Sequence, residues 1–457
     1  MSKQLPHIDH FDRAYFIGIG GIGMSAIARY FHQKGWIVGG YDKTSTVLTR
    51  ELESEGLAVH YTDLGANIPA EFTDASCTMV VYTPAIPKDM GELWHVQQAG
   101  YSVFKRAQVL GMITRDSRAL CVAGTHGKTT TSTLLAWILD QSAFKCSAFL
   151  GGISSNFDSN FVSHPESPYT VIEADEFDRS FLQLSPWISI VTSTDADHLD
   201  IYGDDTTFQA GFQAFADLLD PAGVLIHHAD VSLRAERSIS YGIDCLADYV
   251  GSNLRSVDGR FLFDLEAPQG RLEAIELGIP GIHNVENAIA CIALAFELGM
   301  DENTLRKALT GFKGVKRRFE YHVRTENLVY IDDYAHHPTE IQALISSVRL
   351  LYPNQRVTGV FQPHLFSRTR DFFEGFAHTL SQLDEVILLP IYPARELPIE
   401  GITSDALCAK IQGPKATVLS PQAALESLSQ RTEGILLTIG AGDIDLLVAP
   451  LAKALNP

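Results

Sequence analysis

The 457-residue sequence predicts an α/β protein of three successive blocks, each alternating strand and helix. Three observations carry that expectation. Apolar β-rich runs alternate with amphipathic helical stretches almost throughout, the pattern of parallel sheets covered by helices. The length exceeds what one hydrophobic core usually organises, so two or three domains are expected. Two strands also run directly into glycine-rich turns followed by helices, the unit from which doubly wound folds are built.

Taken in order, Ala14 to Ile17 reads as a strand, Gly18 to Gly23 as a turn, Met24 to Gln33 as a helix and Trp36 to Tyr41 as the next strand. The second block opens with the strand Ala119 to Ala123, a glycine loop and the helix Thr129 to Asp140, whose Leu134, Leu135, Ile138 and Leu139 line one face. Strands follow at Tyr169 to Ile172, Ile188 to Thr192 and Val224 to His227. Short alternating runs between Asp244 and Leu277 suggest antiparallel excursions, and the helix Val285 to Leu298 is stopped by Gly299. In the third block the strands are Leu328 to Ile331, Arg356 to Phe361, Glu385 to Leu389 and Ile435 to Ile439, with helices at Thr339 to Leu350 and Arg368 to Leu383. The basic stretch Lys313 to Arg318 marks the junction, so the expected domains are 1–116, 117–316 and 317–457.

Composition excludes several classes. Hydrophobic residues make up 46% and charged residues 20%, and no apolar run approaches the roughly 20 residues that span a bilayer. The first residues lack the basic segment and apolar core of a secretory signal, so a cytoplasmic protein with no membrane partner is expected. Six scattered cysteines, none in a CxxC pair, argue against a disulfide scaffold and a zinc ribbon. A formal charge of -20 repels a phosphate backbone, so no nucleic-acid partner is expected and small anions must be held by local devices.

One such device is Gly124-Thr125-His126-Gly127-Lys128-Thr129-Thr130-Thr131, between a buried strand and a helix. Successive backbone N–H groups there can wrap a polyphosphate while Lys128 neutralises its charge and Thr129 offers a hydroxyl to Mg²⁺. Val122 stands where the usual Walker A spacing has glycine, so this P-loop is a short one. Glu173-Ala-Asp175-Glu176-Phe-Asp178 follows a strand, and four carboxylates at a strand end repel one another unless a cation sits among them, which favours a metal site. Asp195-Ala-Asp197-His198-Leu-Asp200 adds an imidazole, and His198 reads as a further ligand. At the N-terminus Gly18-Ile-Gly20-Gly21-Ile22-Gly23, with Asp42 nineteen residues on, satisfies the dinucleotide fingerprint. That turn specifies a pyrophosphate at a helix N-terminus and does not choose between NAD and a UDP-sugar. Asn284 and Asn287, three apart, can face one side of a helix and bond an adenine edge, and Lys316-Arg317-Arg318 can clamp phosphate.

As an ordered set these segments closely resemble the Mur ligases of peptidoglycan synthesis, over nearly the whole chain. Asp332 to Glu340, Phe361 to His364, Ser367 to Asp371 and Thr438 to Asp443 look like segments of the members that add L-alanine to UDP-N-acetylmuramate. The resemblance implies an N-terminal Rossmann-like domain for UDP, a central P-loop ATPase domain with a mixed sheet and a C-terminal Rossmann-like domain. It assigns the UDP substrate to Gly18, Gly20, Gly21, Ile22, Gly23, Asp42, Thr83 and Ala85, with His364, Ser367, Arg368 and Arg370 on the muramoyl and amino-acid side. ATP falls to Gly124 through Thr130 with Asn284, Asn287, Arg318 and Asp333, and Mg²⁺ to Thr129, Glu173 and His198. Lys128, Glu173 and His198 would be the catalytic groups of a monomer or weak homodimer in the cytoplasm, with His337 an alternative to His198 as general base.

Two departures stand out. Leu365 occupies a position where the family pattern leads us to expect arginine. Several sister Mur ligases hold their second magnesium with a carbamylated lysine; here no lysine lies between Lys145 and Lys307, and the corresponding position is Phe212. The rival expectations are the related ligase that recycles a murein tripeptide, which shares every ATP residue, an NAD oxidoreductase, which leaves the P-loop unexplained, and a nucleotide-gated switch or transporter ATPase, which leaves the UDP-type domain and the Asp332 to Glu340 motif without work.

Overall fold

Strands form where apolar residues run unbroken. Arg13–Ile17, Arg118–Ala123, Leu328–Asp333 and Gly434–Ile439 are buried along nearly their whole length, as strands covered by helices on both faces must be. The computed structural model describes residues 6–87, 89–195, 202, 204–257, 260–394 and 396–456.

Among the described residues three sheets result. The first holds five parallel strands in the order Ala58–His60, Ile37–Tyr41, Arg13–Ile17, Thr78–Tyr82, Ser102–Lys105. Strand order reverses beside Arg13–Ile17, so the Gly18 turn leaves the sheet at its switch point, where open α/β sheets bind ligands. The second runs Gly270–Leu277, Arg260–Ala267, Tyr249–Val257, Ser238–Ile243, Val224–His228, Pro186–Val191, Arg118–Ala123, Tyr169–Glu173, Ser147–Ser154, Ser159–Val162. Its edge pair Ser147–Ser154 and Ser159–Val162 is antiparallel, and the pairs from Ser147–Ser154 across to Tyr249–Val257 are parallel. The runs expected between Asp244 and Leu277 are three consecutive strands at the opposite edge. The third sheet has the order Glu320–Arg324, Leu328–Asp333, Gly434–Ile439, Val357–Phe361, Glu385–Leu388, Lys415–Val418, with Glu320–Arg324 antiparallel.

The chain packs as two compact units, one formed by Met1–Ser252, Asp264–Ile275 and Glu286–Phe312, the other by Asn253–Phe263, Glu276–Val285 and Lys313–Pro457. In the first unit two sheets share a core. Helix Ile22–Gln33 buries Ile27 and Phe31 in the same cluster as Phe149 and Phe161, and the Tyr30 ring lies 5.4 Å from Phe149. Each such fully buried side chain contributes about 1.5–3 kcal/mol. The seam also holds a satisfied polar network: buried Arg29 pairs with Glu55 at 2.6 Å and donates to Asn160, whose amide donates to Ser25 Oγ at 2.9 Å. In the second unit the third sheet carries an apolar cluster on each face, one around Ile331, Ile345 and Phe361, the other around Tyr330, Val360 and Leu451.

One expected element is different. The helix predicted over Arg368 to Leu383 is two helices, Phe366–Asp371 and Phe373–Leu380, broken at Phe372 with φ -112° and ψ 21°. The Phe372 ring packs edge-on against His337, 4.3 Å between centroids, a long-range contact that periodicity does not reveal. No helix among the described residues is long and apolar enough to cross a membrane.

Candidate active site

The glycines of the second turn adopt backbone conformations closed to other residues: Gly124 has φ +132° and Gly127 φ +79°. A side chain at Gly127 would also meet Asn287 Oδ1 at 2.6 Å, so the asparagine lies against the turn. The chain then enters helix Lys128–Asp140, whose first N–H groups have no partner further back in the helix. Thr125 and His126 N–H groups donate to Ser193, and Thr125 Oγ1 donates to the Asp195 carbonyl at 2.8 Å, tying the loop to the neighbouring strand end. Lys128 folds back on the loop, donating to the Gly124 carbonyl at 2.6 Å and to Glu176 Oε1 at 2.7 Å.

That ion pair is buried, with Glu176 1% exposed. Burial pulls the Lys128 ammonium down, but Glu176 outweighs it and holds the lysine above its ordinary range. Burial pushes the Glu176 carboxyl up against the opposing pull of Lys128. Among the described residues three buried polar atoms here have no hydrogen-bond partner: Glu176 Oε2, Asn287 Nδ2 and Thr131 Oγ1. Each costs about 1–3 kcal/mol, and a ligand with polar edges would offset that cost. Asn284, one turn before Asn287, is differently placed: its amide donates to the Pro280 carbonyl at 2.5 Å.

The acidic run after Tyr169–Glu173 does not converge on a shared point as its mutual repulsion suggested. Each carboxylate has its own answer. Asp175 pairs with Arg106 at 3.0 Å, Asp178 with Lys105 at 3.1 Å and Glu176 with Lys128. Only Glu173 faces the P-loop hydroxyl, accepting from Thr129 at 3.0 Å and from the Gly151 N–H at 3.0 Å. Asp178 and Arg179 carry positive φ, local backbone strain in the turn that sends these carboxylates to separate partners. Thr129 with Glu173 forms a hard-oxygen pair beside the phosphate loop, which fits Mg²⁺. His198, like Asp197 and Asp200, lies outside the described residues.

The first glycine turn is built differently. Gly18 has φ +91°, and a Cβ there would come within 3.0 Å of Thr83 Cγ2, so the turn over Tyr82 to Ile86 closes on it. The Ala85 N–H is 3.5 Å from Thr83 Oγ1. Asp42 braces the turn directly, accepting from the Gly20 N–H at 2.8 Å and from Thr44 N–H at 3.2 Å. A Cβ on Gly21 would find ordinary contacts at 3.6 Å, whereas one on Gly23 would collide with the Arg106 guanidinium. Helix Ile22–Gln33 begins with no side-chain cap.

In the other unit a third constellation gathers at the C-terminal ends of Leu328–Asp333, Val357–Phe361 and Gly434–Ile439. Asp333 accepts from Phe319 N–H at 2.7 Å and Ala335 N–H at 2.8 Å, and burial still pushes its carboxyl up to about 6. Arg318 lies over the Tyr334 ring, 5.0 Å from its centroid. Burial pulls His336 down to about 4, leaving it neutral at pH 7. Glu340 caps the loop from the helix, accepting from His336 N–H at 2.9 Å and from His337 N–H at 3.3 Å. His364 stacks on Tyr392 and sits 3.5 Å from Arg368 Nη1, while Ser367 N–H donates to Glu396 at 2.9 Å. Arg370 instead faces solvent and pairs with its neighbour Asp371. Leu365, with φ +71° and ψ 138°, holds a backbone conformation costly for any side chain.

Sequence reasoning missed Arg106, Tyr392 and Glu396, and it named Glu340 only as the end of the Asp332 to Glu340 segment, with no role. Glu340 was findable, since it stands three residues after His337 and completes a capping box. The basic pair Lys105-Arg106 at a strand end was a weaker signal. Glu396 and Tyr392 reach the cluster across a loop, and nothing in their spacing announces it.

Three family models match consecutive stretches of the chain: the Mur ligase family catalytic domain at residues 13–118, the Mur ligase middle domain at 122–295 and the Mur ligase glutamate ligase domain at 317–447. The sequence is 50% identical over 451 residues to a UDP-N-acetylmuramate–L-alanine ligase of Porphyromonas gingivalis, covering 97% of this chain and 99% of that protein. It is 47% identical over 452 residues to one of Cytophaga hutchinsonii, with 97% of both chains covered. Among solved structures it is similar to UDP-N-acetylmuramate-alanine ligase of Thermotoga maritima, with a TM-score of 0.82, 27% identity and coverage of 96% and 98%. A murein peptide ligase of Psychrobacter arcticus shares the fold at a TM-score of 0.69 and 22% identity, covering 97% and 98%.

Proposed function

The chain belongs to the Mur ligase family, and from that membership we propose that it joins L-alanine to the lactyl carboxylate of UDP-N-acetylmuramate at the expense of ATP, in peptidoglycan precursor synthesis. What carries this reading is identity of 47–50% along nearly the full chain to ligases of that specificity, together with a P-loop whose lysine, hydroxyl and carboxylate are in register. Among solved structures the two murein peptide ligases stand at 22% and 25% identity with TM-scores of 0.69 and 0.59, against 27% and 0.82 for the alanine ligase.

A carboxylate is a poor electrophile. The γ-phosphoryl of ATP passes to the lactyl carboxylate, ADP leaves, and the alanine amine attacks the acyl phosphate and expels phosphate. The protein's part is positioning and electrostatic stabilisation. Lys128 moves from Glu176 onto the transferring phosphoryl oxygens, and the N–H groups opening helix Lys128–Asp140 orient the triphosphate. Mg²⁺, held by Thr129 and Glu173, supplies positive charge to the phosphates when bound. Asn287, with its free amide N–H, serves the nucleotide base or sugar; the assignment of Arg318 and Asp333 to ATP rests on the resemblance alone. His364 and Arg368 serve the carboxylate side of the substrates. We assign the UDP, ATP and C-terminal roles to 1–116, 117–316 and 317–457 in a cytoplasmic enzyme.

The test is phosphate release with ATP, Mg²⁺ and UDP-N-acetylmuramate against a panel of amino acids and the murein tripeptide. Turnover with L-alanine well above every other acceptor is expected. Preference for the tripeptide would overturn the reading.

A further inference from the structure

The two glycine turns pose the same electrostatic problem, and the first lacks a local solution. A diphosphate brings more than one negative charge, while a helix N-terminus offers about half a positive charge. The P-loop carries Lys128. Gly18 to Gly23 carries no cation, and the side chain nearest its end comes from elsewhere in the chain. Arg106 opens helix Arg106–Arg115 directly after strand Ser102–Lys105, two strands along the sheet from Arg13–Ile17. Its guanidinium lies on Gly23: a Cβ built there would collide with Nη1 and stand 3.1 Å from Cδ. Glycine at position 23 is what lets the arginine reach the turn.

Arg106 is held in that attitude from one side only. Nη2 donates to Asp175 Oδ2 at 3.0 Å, its one hydrogen bond among the described residues, and Asp175 is itself oriented by the Phe177 N–H, 3.0 Å from Oδ1. Nη1, beside the turn, retains its donors. The side chain is 28% exposed, open enough to meet a ligand and buried enough for its charge to be felt. A planar fork with one arm anchored and the other presented is suited to phosphate oxygens.

We propose that Arg106 is a diphosphate ligand of the uridine nucleotide site and that Asp175, from the acidic turn beside the P-loop, is its positioning residue. The assignment rests on the reading that the Gly18 turn takes the UDP moiety. It gives the acidic turn a second duty: Glu173 faces the P-loop while Asp175 orients a cation over the other nucleotide's turn.

Calorimetry on the full chain with UDP, UMP and uridine tests this. In the unsubstituted protein UDP should bind more tightly than UMP. In Arg106→Gln that preference should fall at least tenfold while uridine binding stays within about twofold. Arg106→Lys, which keeps the charge but loses the fork, should fall between. Asp175→Asn should reduce the preference severalfold, because a positioning residue acts through the diphosphate and not through the base. Unchanged UDP:UMP ratios in folded Arg106→Gln and Arg106→Lys protein would overturn the assignment and leave the Gly18 reading standing. Failure of the unsubstituted protein to bind UDP would overturn both.

Discussion

The two strand–glycine–helix turns share local geometry and differ in where their charges come from. The P-loop is provisioned within its own eight residues: two glycines at positive φ, a lysine and a hydroxyl, with Asn287 as the visitor. The Gly18 turn contributes backbone alone, and the side chains that close on it, Asp42, Thr83 and Arg106, arrive from three other strand ends. In the proposed reading the turn with its own cation serves phosphoryl transfer, and the turn that borrows one holds a diphosphate.

Lys128→Ala is the strongest attempt to break that distinction. Loss of the cation that meets the transferring phosphoryl should lower turnover by about three orders of magnitude. UDP-N-acetylmuramate affinity, read by calorimetry, should stay within about twofold; a comparable loss there would mean that the two turns form one site.

Glu176→Gln probes how the lysine is kept. Removing one partner of a buried ion pair strands the other charge, so the variant should lose about 3 kcal/mol in denaturant unfolding. ADP with Mg²⁺ should restore more stability to the variant than to the parent, since its phosphates replace the missing anion. Equal stabilisation of both proteins would argue that Lys128 never leaves Glu176.

The glycines sharpen the comparison at smaller scale. Gly127→Ala meets both a positive φ and Asn287, and should raise the KM for ATP about tenfold, roughly 1.4 kcal/mol. Gly21→Ala, at φ -65° with only ordinary contacts, should change the KM for UDP-N-acetylmuramate less than twofold. Equal effects would mean that both turns grip their phosphates equally closely.

The smallest expected effect is none. Phe212 is fully buried and packs against Phe181 and Phe208, with ring centroids 5.3 and 5.2 Å apart, so this position has no amine to carbamylate. Activity in degassed buffer should not respond when bicarbonate is restored at fixed pH. A severalfold rescue would reveal a carbamylated lysine elsewhere.

How legible each site was follows the same division. The P-loop could be read because its conformation is dictated by neighbours in the chain: glycines where φ is positive, a lysine entering the helix. The acidic run misled for the opposite reason. Four carboxylates in six residues look like one cluster, but successive side chains at a turn point apart, and Arg106, Lys105 and Lys128 each take one. The helix expected over Arg368 to Leu383 is divided at Phe372, whose ring seats on His337, a contact between distant segments that local pattern does not carry. Leu365 was visible as an unexpected residue; its positive φ was not, because leucine does not advertise left-handed backbone as glycine does.

By itself, then, the sequence determined the alternating strands and helices, both glycine turns and the P-loop's lysine and hydroxyl, all set by interactions within a few residues. Tertiary structure alone decided that the first two sheets share one core, that Asn287 closes on Gly127, and that Arg106, 69 residues from Asp175, lies over Gly23. The reason is physical. Backbone conformation and hydrophobic period are local energies written in the order of residues, whereas which distant charge meets which turn depends on how sheets pack, and many packings are compatible with one pattern of strands.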